Sequence, residues 1–396
     1  MIMKEPKIRF KGFSGEWKET IFGDSVIINS GMDYKHLSVG EIPVYGTGGY
    51  MLSVNESLSD IDAIGIGRKG TIDKPQLLKA PFWTVDTLFF MTPKNGDNLN
   101  FLFALSQKTN WRKYDESTGV PSLSKVNIAK IAIALPKKKE QIAIASYFQH
   151  LDILIQSTTK KIESLKQVKS ASLQSMFPQE GATKPRVRFN GFEGEWEKMA
   201  FGNVFEFIKN NSLSRDQLSY TDGVVKNIHY GDVLIKFGDI IDISKDRLPY
   251  IKSIEQKSKM PQTVLLQDGD VIIADAAEDN TVGKCSEILN VNDECVVAGL
   301  HTIPCRPMIP FALGYLGYYI NSDLYHNQLL PLIQGSKISS ISKSVIKLTT
   351  VVFPSIAEQQ QIADYFTSLD TQITLQTQRL EKLKQIKSAC LDNMFV

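Results

Sequence analysis

LPKKKEQIAIASYFQHLDILIQSTTKKIESLKQVKSASLQSMFP runs from Leu135 to Pro178, and FPSIAEQQQIADYFTSLDTQITLQTQRLEKLKQIKSACLDNMFV runs from Phe353 to Val396. The two stretches share Pro136 with Pro354, Glu140-Gln141 with Glu358-Gln359, Tyr147-Phe148 with Tyr365-Phe366, and Leu151-Asp152 with Leu369-Asp370. The match continues to Met176-Phe177 and Met394-Phe395. Apolar residues recur in steps of three and four in both copies: Phe148, Leu151, Ile155, Ile162 and Leu165, then Phe366, Leu369, Ile373, Leu380 and Leu383. That is the seam of a coiled coil over roughly three heptads. Thr158 and Gln376 fill the same polar slot, a substitution that fixes register at some cost in stability. Proline is tolerated just ahead of each stretch and would break a helix inside it. The pattern predicts two helices of roughly 38 residues, ~57 Å each at 1.5 Å per residue. Helices that long outreach the domains they follow, so we expect them to pack on each other as an antiparallel coiled coil. The two globular domains would then lie at opposite ends, related by approximate two-fold rotation.

A second repeat has a different offset. RFKGFSGEWKETIFG begins at Arg9, and RFNGFEGEWEKMAFG begins 179 positions later at Arg188, whereas Pro354 follows Pro136 by 218. Matching ends therefore enclose middles that differ by 39 residues. Repeats of this size identify the structural unit before any motif does. The plan is a variable domain (1–136), a helix (137–178), a linker (179–184), a second variable domain (185–354) and a second helix (355–396). In the openings, Gly12, Gly15, Gly191 and Gly194 suit tight turns, and Trp17 and Trp196 are expected to anchor those turns in a core.

Between these landmarks lie short apolar runs cut by glycine turns. EIPVYGTGGYM, IDAIGIGRKGTI and FWTVDTLFFMTP read as strands, NFLFALSQKTNW as a helix, and VNIAKIAIALP as a closing strand. The second domain repeats the grammar with GDVLIKFGDIIDI, GDVIIADAAEDNTVGKCSEIL, ECVVAGLHTIPC, the helical FALGYLGYYINSDLYHNQLL, and SVIKLTTVVFP. The expected fold class is mixed α/β (α+β), two globular domains joined by two long helices.

Composition narrows the chemistry. A chain of 396 residues, 42% hydrophobic and 22% charged, has room for two or three cored domains. It shows neither the ~20-residue apolar run of a membrane span nor a signal-peptide core in MIMKEPKIRF, so a cytoplasmic location is expected. Cys285, Cys295, Cys305 and Cys390 contain no CxxC pair, and only His301 stands nearby, a poor zinc pattern. Reduced, mostly buried thiols are expected. None of the 16 prolines adjoins another, so the paired-proline loop of an amino-methyltransferase is missing. GIGRKGT lacks the Gly-Lys-Ser/Thr ending of a phosphate loop, and the five histidines are scattered. No catalytic or cofactor-binding residues are assigned. A net charge of +2 gives no basic footprint by itself.

The RF.GF.GEW openings, the EQ.AIA.YF..LD and EQQQIA.YF..LD helices with LK..K…L..MF, and IGIGRKGTI together resemble the specificity (S) subunits of Type I restriction–modification systems. The resemblance covers essentially the whole chain. It implies two target recognition domains, each reading half of a split site on double-stranded DNA, and helices that set the spacer and dock two modification subunits. Those partners would bring S-adenosylmethionine for adenine methylation, and restriction (motor-nuclease) subunits would add ATP and Mg chemistry, with no cofactor on this chain and no membrane contact.

Base reading needs donors and acceptors at groove edges, with phosphate contacts fixing position. The candidates in the first domain are Tyr45, Thr47, Arg68, Lys69, Ser122, Ser124 and Lys125. In the second they are Lys226, His229, Tyr230, Asp275, Asn280, Lys284, Gln334, Ser336, Lys337 and Ser339. A coiled-coil scaffold without DNA readout is the alternative, and a self-contained methyltransferase would have to bind S-adenosylmethionine unaided.

Overall fold

The computed structural model describes residues 5–179, 181–252, 261–335 and 338–396. The two long helices are Lys138–Met176 and Ile356–Met394, 39 residues each. Neither contains glycine or proline, and each carries a glutamate in its first turn, Glu140 and Glu358, where the helix dipole favours negative charge. The chain divides into two compact units, and each takes a part of both helices. Unit 1 is 1–161 with 376–396, and unit 2 is 162–375.

Within each unit the two helix segments run antiparallel. In unit 1 Tyr147 Oη lies 3.4 Å from Cys390 Sγ, and one turn further on Lys387 donates to Asp152 at 2.6 Å. Unit 2 repeats the pairs with the helices exchanged: Tyr365 meets Ser172 at 2.9 Å, and Lys169 donates to Asp370 at 2.6 Å. The seam follows the expected pattern. Phe148, Leu151, Ile162, Leu165, Phe366, Leu369 and Leu380 are buried, and Ile155, Ile373 and Leu383 are half-buried. The polar slot is satisfied locally, because buried Thr158 donates to Leu154 O of its own helix at 2.7 Å.

The repeated opening is a latch onto the helix pair. Arg9 makes a bidentate pair with Glu140 at 2.7 and 2.9 Å and donates to Gly15 O at 2.7 Å. Arg188 does the same with Glu358 and Gly194 O. Gly15 and Gly194 reach this geometry with φ of +89° and +84°, where a side chain would be strained. Trp17 packs edge-on against Phe395 and Trp196 against Phe177, both at 6.1 Å and 88°. The tryptophans are core anchors, each only 3% exposed. Beside them, buried Gln141 and Gln359 donate to Pro136 O and Pro354 O and accept from Asn98 N and Ala312 N. The recurring Glu-Gln pair thus holds each domain on its helix.

Unit 1 has an antiparallel four-stranded sheet in the order Val26–Ser30, Leu88–Pro93, Ala63–Gly67, Gln76–Leu78. A three-stranded sheet places Val39–Gly46 between Gly49–Val54 and Trp83–Thr84. In unit 2 the corresponding sheet runs Phe205–Phe207, Thr302–Pro307, Val271–Ala274, Cys285–Leu289, and gains Ile240–Asp242 at the edge. A further four-stranded sheet is formed by Leu218–Ser219, Tyr250–Ile251, Lys226–Ile228 and Val296–Ala298. The longer middle of unit 2 goes into this additional structure.

Three strand readings need correction. SVIKLTTVVFP opens in a helical turn, Lys343–Ile346, with Ile346 N donating to Ser342 O, before the strand Thr350–Phe353. VNIAKIAIALP begins in a capped helical turn, Lys125–Lys130, before the strand Ala132–Leu135, because Ser124 accepts from Asn127 N. GDVLIKFGDIIDI likewise starts with a helical turn, Asp232–Lys236, where the Lys284 ammonium binds Leu234 O and Phe237 O. The cysteines are free thiols, three of them buried. No helix among the described residues is long and apolar enough to cross a membrane.

Candidate nucleic-acid interface

In unit 1 the strand Ala63–Gly67 is wholly buried and delivers the chain into an exposed turn at Arg68-Lys69. Gly67 has no room for a side chain, since a Cβ would lie 2.0 Å from Thr71 O. Arg68 N donates to Thr87 O, Gly70 N to Pro121 O, and Leu123 N to Arg68 O, each at 2.8 Å. Lys69 also bridges Ser122 through the main chain. Two loops distant in sequence, 68–70 and 115–124, are therefore sewn into one platform. Asp115 braces the second loop by accepting from Ser122 N and Ser117 N, bonds that hold its carboxyl below the usual range.

The platform is cationic. Arg68 and Lys125 both lie 5.9 Å from the centre of the Phe89 ring. Neither forms an ion pair among the described residues, and nor does Lys69. Arg68 and Lys69 border a depression of about 430 Å³ lined also by Ser117, Ser122 and Val120. The hairpin with Tyr45 and Thr47 adjoins the same connecting segment, as Val85 N donates to Tyr45 O. Gln76 fixes the hairpin tip by donating to Gly46 O and Thr47 O. Ser124 is committed elsewhere: it caps the helical turn and donates to Glu116.

Unit 2 builds the same platform. Asp275 N donates to His301 O at 3.1 Å, and Ile341 N to Asp275 O at 2.9 Å. Asp275, His301 and Ile341 thus stand where Arg68, Thr87 and Leu123 stand in unit 1. Ala276–Ala277 pairs with Ser339–Ser340, and Gln334 exchanges main-chain bonds with Ser340. Tyr230 is half-buried beside His301, and Asn280 is exposed with its carbonyl at His326. Ser336 and Lys337 lie outside the described residues.

Three expected DNA contacts are corrected here. Lys226 is 8% exposed, donates to Ile243 O and pairs with Glu294, so its charge is spent inside the sheet. Lys284 is the staple of the 232–237 turn, and burial lowers its pKa. His229 is 6% exposed, and burial and then Arg215 favour its neutral form. Asp275 changes role, since its carboxylate faces His301 Nδ1 at 3.1 Å. His301 is not among the expected contacts: ECVVAGLHTIPC reads as one run, and only its Gly-Leu break signals that one strand ends at Ala298 and another begins at Thr302.

A duplicated latch, two units that share two helices, and a sewn pair of loops carrying different side chains in each unit define a protein built from two copies of one module. The family model "Type I restriction modification DNA specificity domain" matches residues 16–167 and again 193–385. The chain belongs to that family. It is 22% identical over 343 residues, 84% of this chain and 75% of the relative, to the Type I restriction enzyme MjaVIII specificity subunit of Methanocaldococcus jannaschii. It is 25% identical over 130 residues to the EcoKI specificity subunit of Escherichia coli, covering 33% and 28% of the two chains. In fold it is similar to the S subunit of a Type I restriction–modification system from M. genitalium, with a TM-score of 0.66, 13% identity and 99% of both chains covered. A second similar structure (TM-score 0.52, 15% identity, 96% and 97% covered) comes from work on complex assembly and conformational transition of the type I R-M system.

Proposed function

We propose that each unit reads one half of a bipartite site on double-stranded DNA, and that the chain directs two modification subunits to that site. The observation that carries this is the paired-loop platform. One framework presents Arg68, Lys69 and Lys125 in unit 1 and Tyr230, His301, Asn280 and Gln334 in unit 2, which is what two readers of different sequences require. Cations position the duplex through phosphates, and planar or amide groups discriminate base edges. The near-balanced charge fits a reader whose partners supply part of the grip on DNA. S-adenosylmethionine, and ATP with Mg where restriction subunits join, belong to those partners, and this chain is non-catalytic. The proposed setting is the cytoplasm.

The test is a domain exchange. Residues 185–352 are replaced by the equivalent span of a relative, the complex with modification subunits is expressed, and methylated adenines are mapped across the genome. One half-site changes and the other is retained. Both halves changing, or methylation without any bipartite motif, would refute independent reading.

A further inference from the structure

We propose that unit 2 reads the exocyclic amino group of an adenine or cytosine through Nε2 of His301. The proposal rests on the DNA-reading role just stated and names the chemistry of one contact within it.

His301 is held on three sides. Its φ of +53° places it in the left-handed region, which residues other than glycine seldom occupy. Its carbonyl accepts from Asp275 N at 3.1 Å, and its Nδ1 lies 3.1 Å from Asp275 Oδ1. A carboxylate can only accept, so the neutral ring keeps its proton on Nδ1 and its lone pair on Nε2. Tyr230 packs against the ring at 5.2 Å and 79°, and is itself backed by His229 at 4.6 Å. Half of the His301 side chain nevertheless remains exposed. It stands on the rim shared by two depressions, about 470 Å³ towards Ala277 and Ile338 and about 690 Å³ towards Asn210 and Val264.

A ring fixed in tautomer and direction, and open at one nitrogen, is an acceptor aimed outwards. In the major groove the matching donors are adenine N6 and cytosine N4, while guanine O6 and thymine O4 are acceptors and are rejected. Exposed Glu278 and Asp279 line the same rim, disfavouring a phosphate and favouring an amino group there. The corresponding place in unit 1 is Thr87, beside Arg68 and Lys69. The Thr87 hydroxyl can donate or accept, so the single-acceptor character at this position of the common framework belongs to unit 2 alone. Asp275 is a positioning residue, acting through the ring it orients.

The test uses the full chain in complex with its modification subunits and the half-site assigned to unit 2 by the domain exchange. Binding is followed by fluorescence anisotropy on duplexes altered one base pair at a time. His301→Gly accepts the left-handed backbone and removes the imidazole. It loses discrimination about tenfold at one position and leaves the other half-site untouched. Asp275→Asn presents an amide that can turn its NH2 to Nδ1, which moves the ring proton to Nε2. That variant accepts guanine or thymine at the same position, a change of preference that mere destabilisation does not give. If His301→Gly fails to assemble, the Asp275→Asn preference decides. Wild-type discrimination by both variants overturns the assignment, whereas a wild-type complex that binds all duplexes alike overturns the DNA-reading role itself.

Discussion

Glu287 lies in the interior of unit 2 and accepts from Gly314 N at 2.7 Å and Gly317 N at 2.9 Å. Gly317 is obligatory for this approach, because a Cβ there would sit 2.0 Å from Asp239 O. Burial pushes the carboxyl up to about 7 against an ordinary 4.5, and main-chain N–H donors from Gly317, Gly314 and Leu316 only partly offset it. An acid whose folded pKa is raised binds its proton more tightly in the native state. Its favourable contribution is full below pH 4.5 and is lost as the pH climbs to about 7, on the order of 3 kcal/mol over the window. Urea midpoints at pH 5 and pH 8 should show this as a fall in wild type that Glu287→Gln largely removes. Equal slopes in both proteins would mean that another group controls the window. The lysines show the same lesson about burial. Lys226 and Lys284 sit in turn-rich sequence and read as surface cations, but their long stems carry the ammonium inwards to carbonyls. Sequence types a residue; it does not say where four methylenes lead.

The helices are the most legible elements, because a three-four period sustained over roughly three heptads in two matching copies has no rival reading. Their partners were legible too, through the second copy. The latch between opening and helix was visible only as repetition: Arg9 and Glu140 are 131 positions apart, and nothing local joins them. The platforms were half legible. Glycines mark the loops, but Asp115 braces its loop through main-chain donors within it, and His301 acts through a partner the sheet brings to it. In the proposed function the helix length is the ruler between half-sites. Inserting four residues after Thr159 adds about one turn, ~6 Å, nearly two base pairs at ~3.4 Å each. The apolar phase is kept, so the variant should assemble and methylate sites with the same halves and a longer spacer. Mapping methylated adenines in a strain carrying the insertion decides it, and an unchanged spacer in an active variant removes the helices from that role.

Unit 2 is one uninterrupted stretch, 162–375, whereas unit 1 needs 376–396 to complete its core. Phe395 fills the space among Trp17, Phe101 and Phe148, and Asn393 O accepts from Ile8 N. During synthesis the ribosome therefore makes most of unit 1 first and finishes it last. The apolar wall around Trp17 has to wait, open, while more than two hundred further residues are translated and unit 2 closes behind it. A stop codon after Leu375 should leave a protease-resistant fragment spanning unit 2 and a rapidly degraded 1–161, readable by limited proteolysis and mass spectrometry; a resistant 1–161 would show that its core closes unaided. Translation order itself thus becomes a constraint on assembly: a ribosome that stalls late releases a chain whose first-made unit is unfinished.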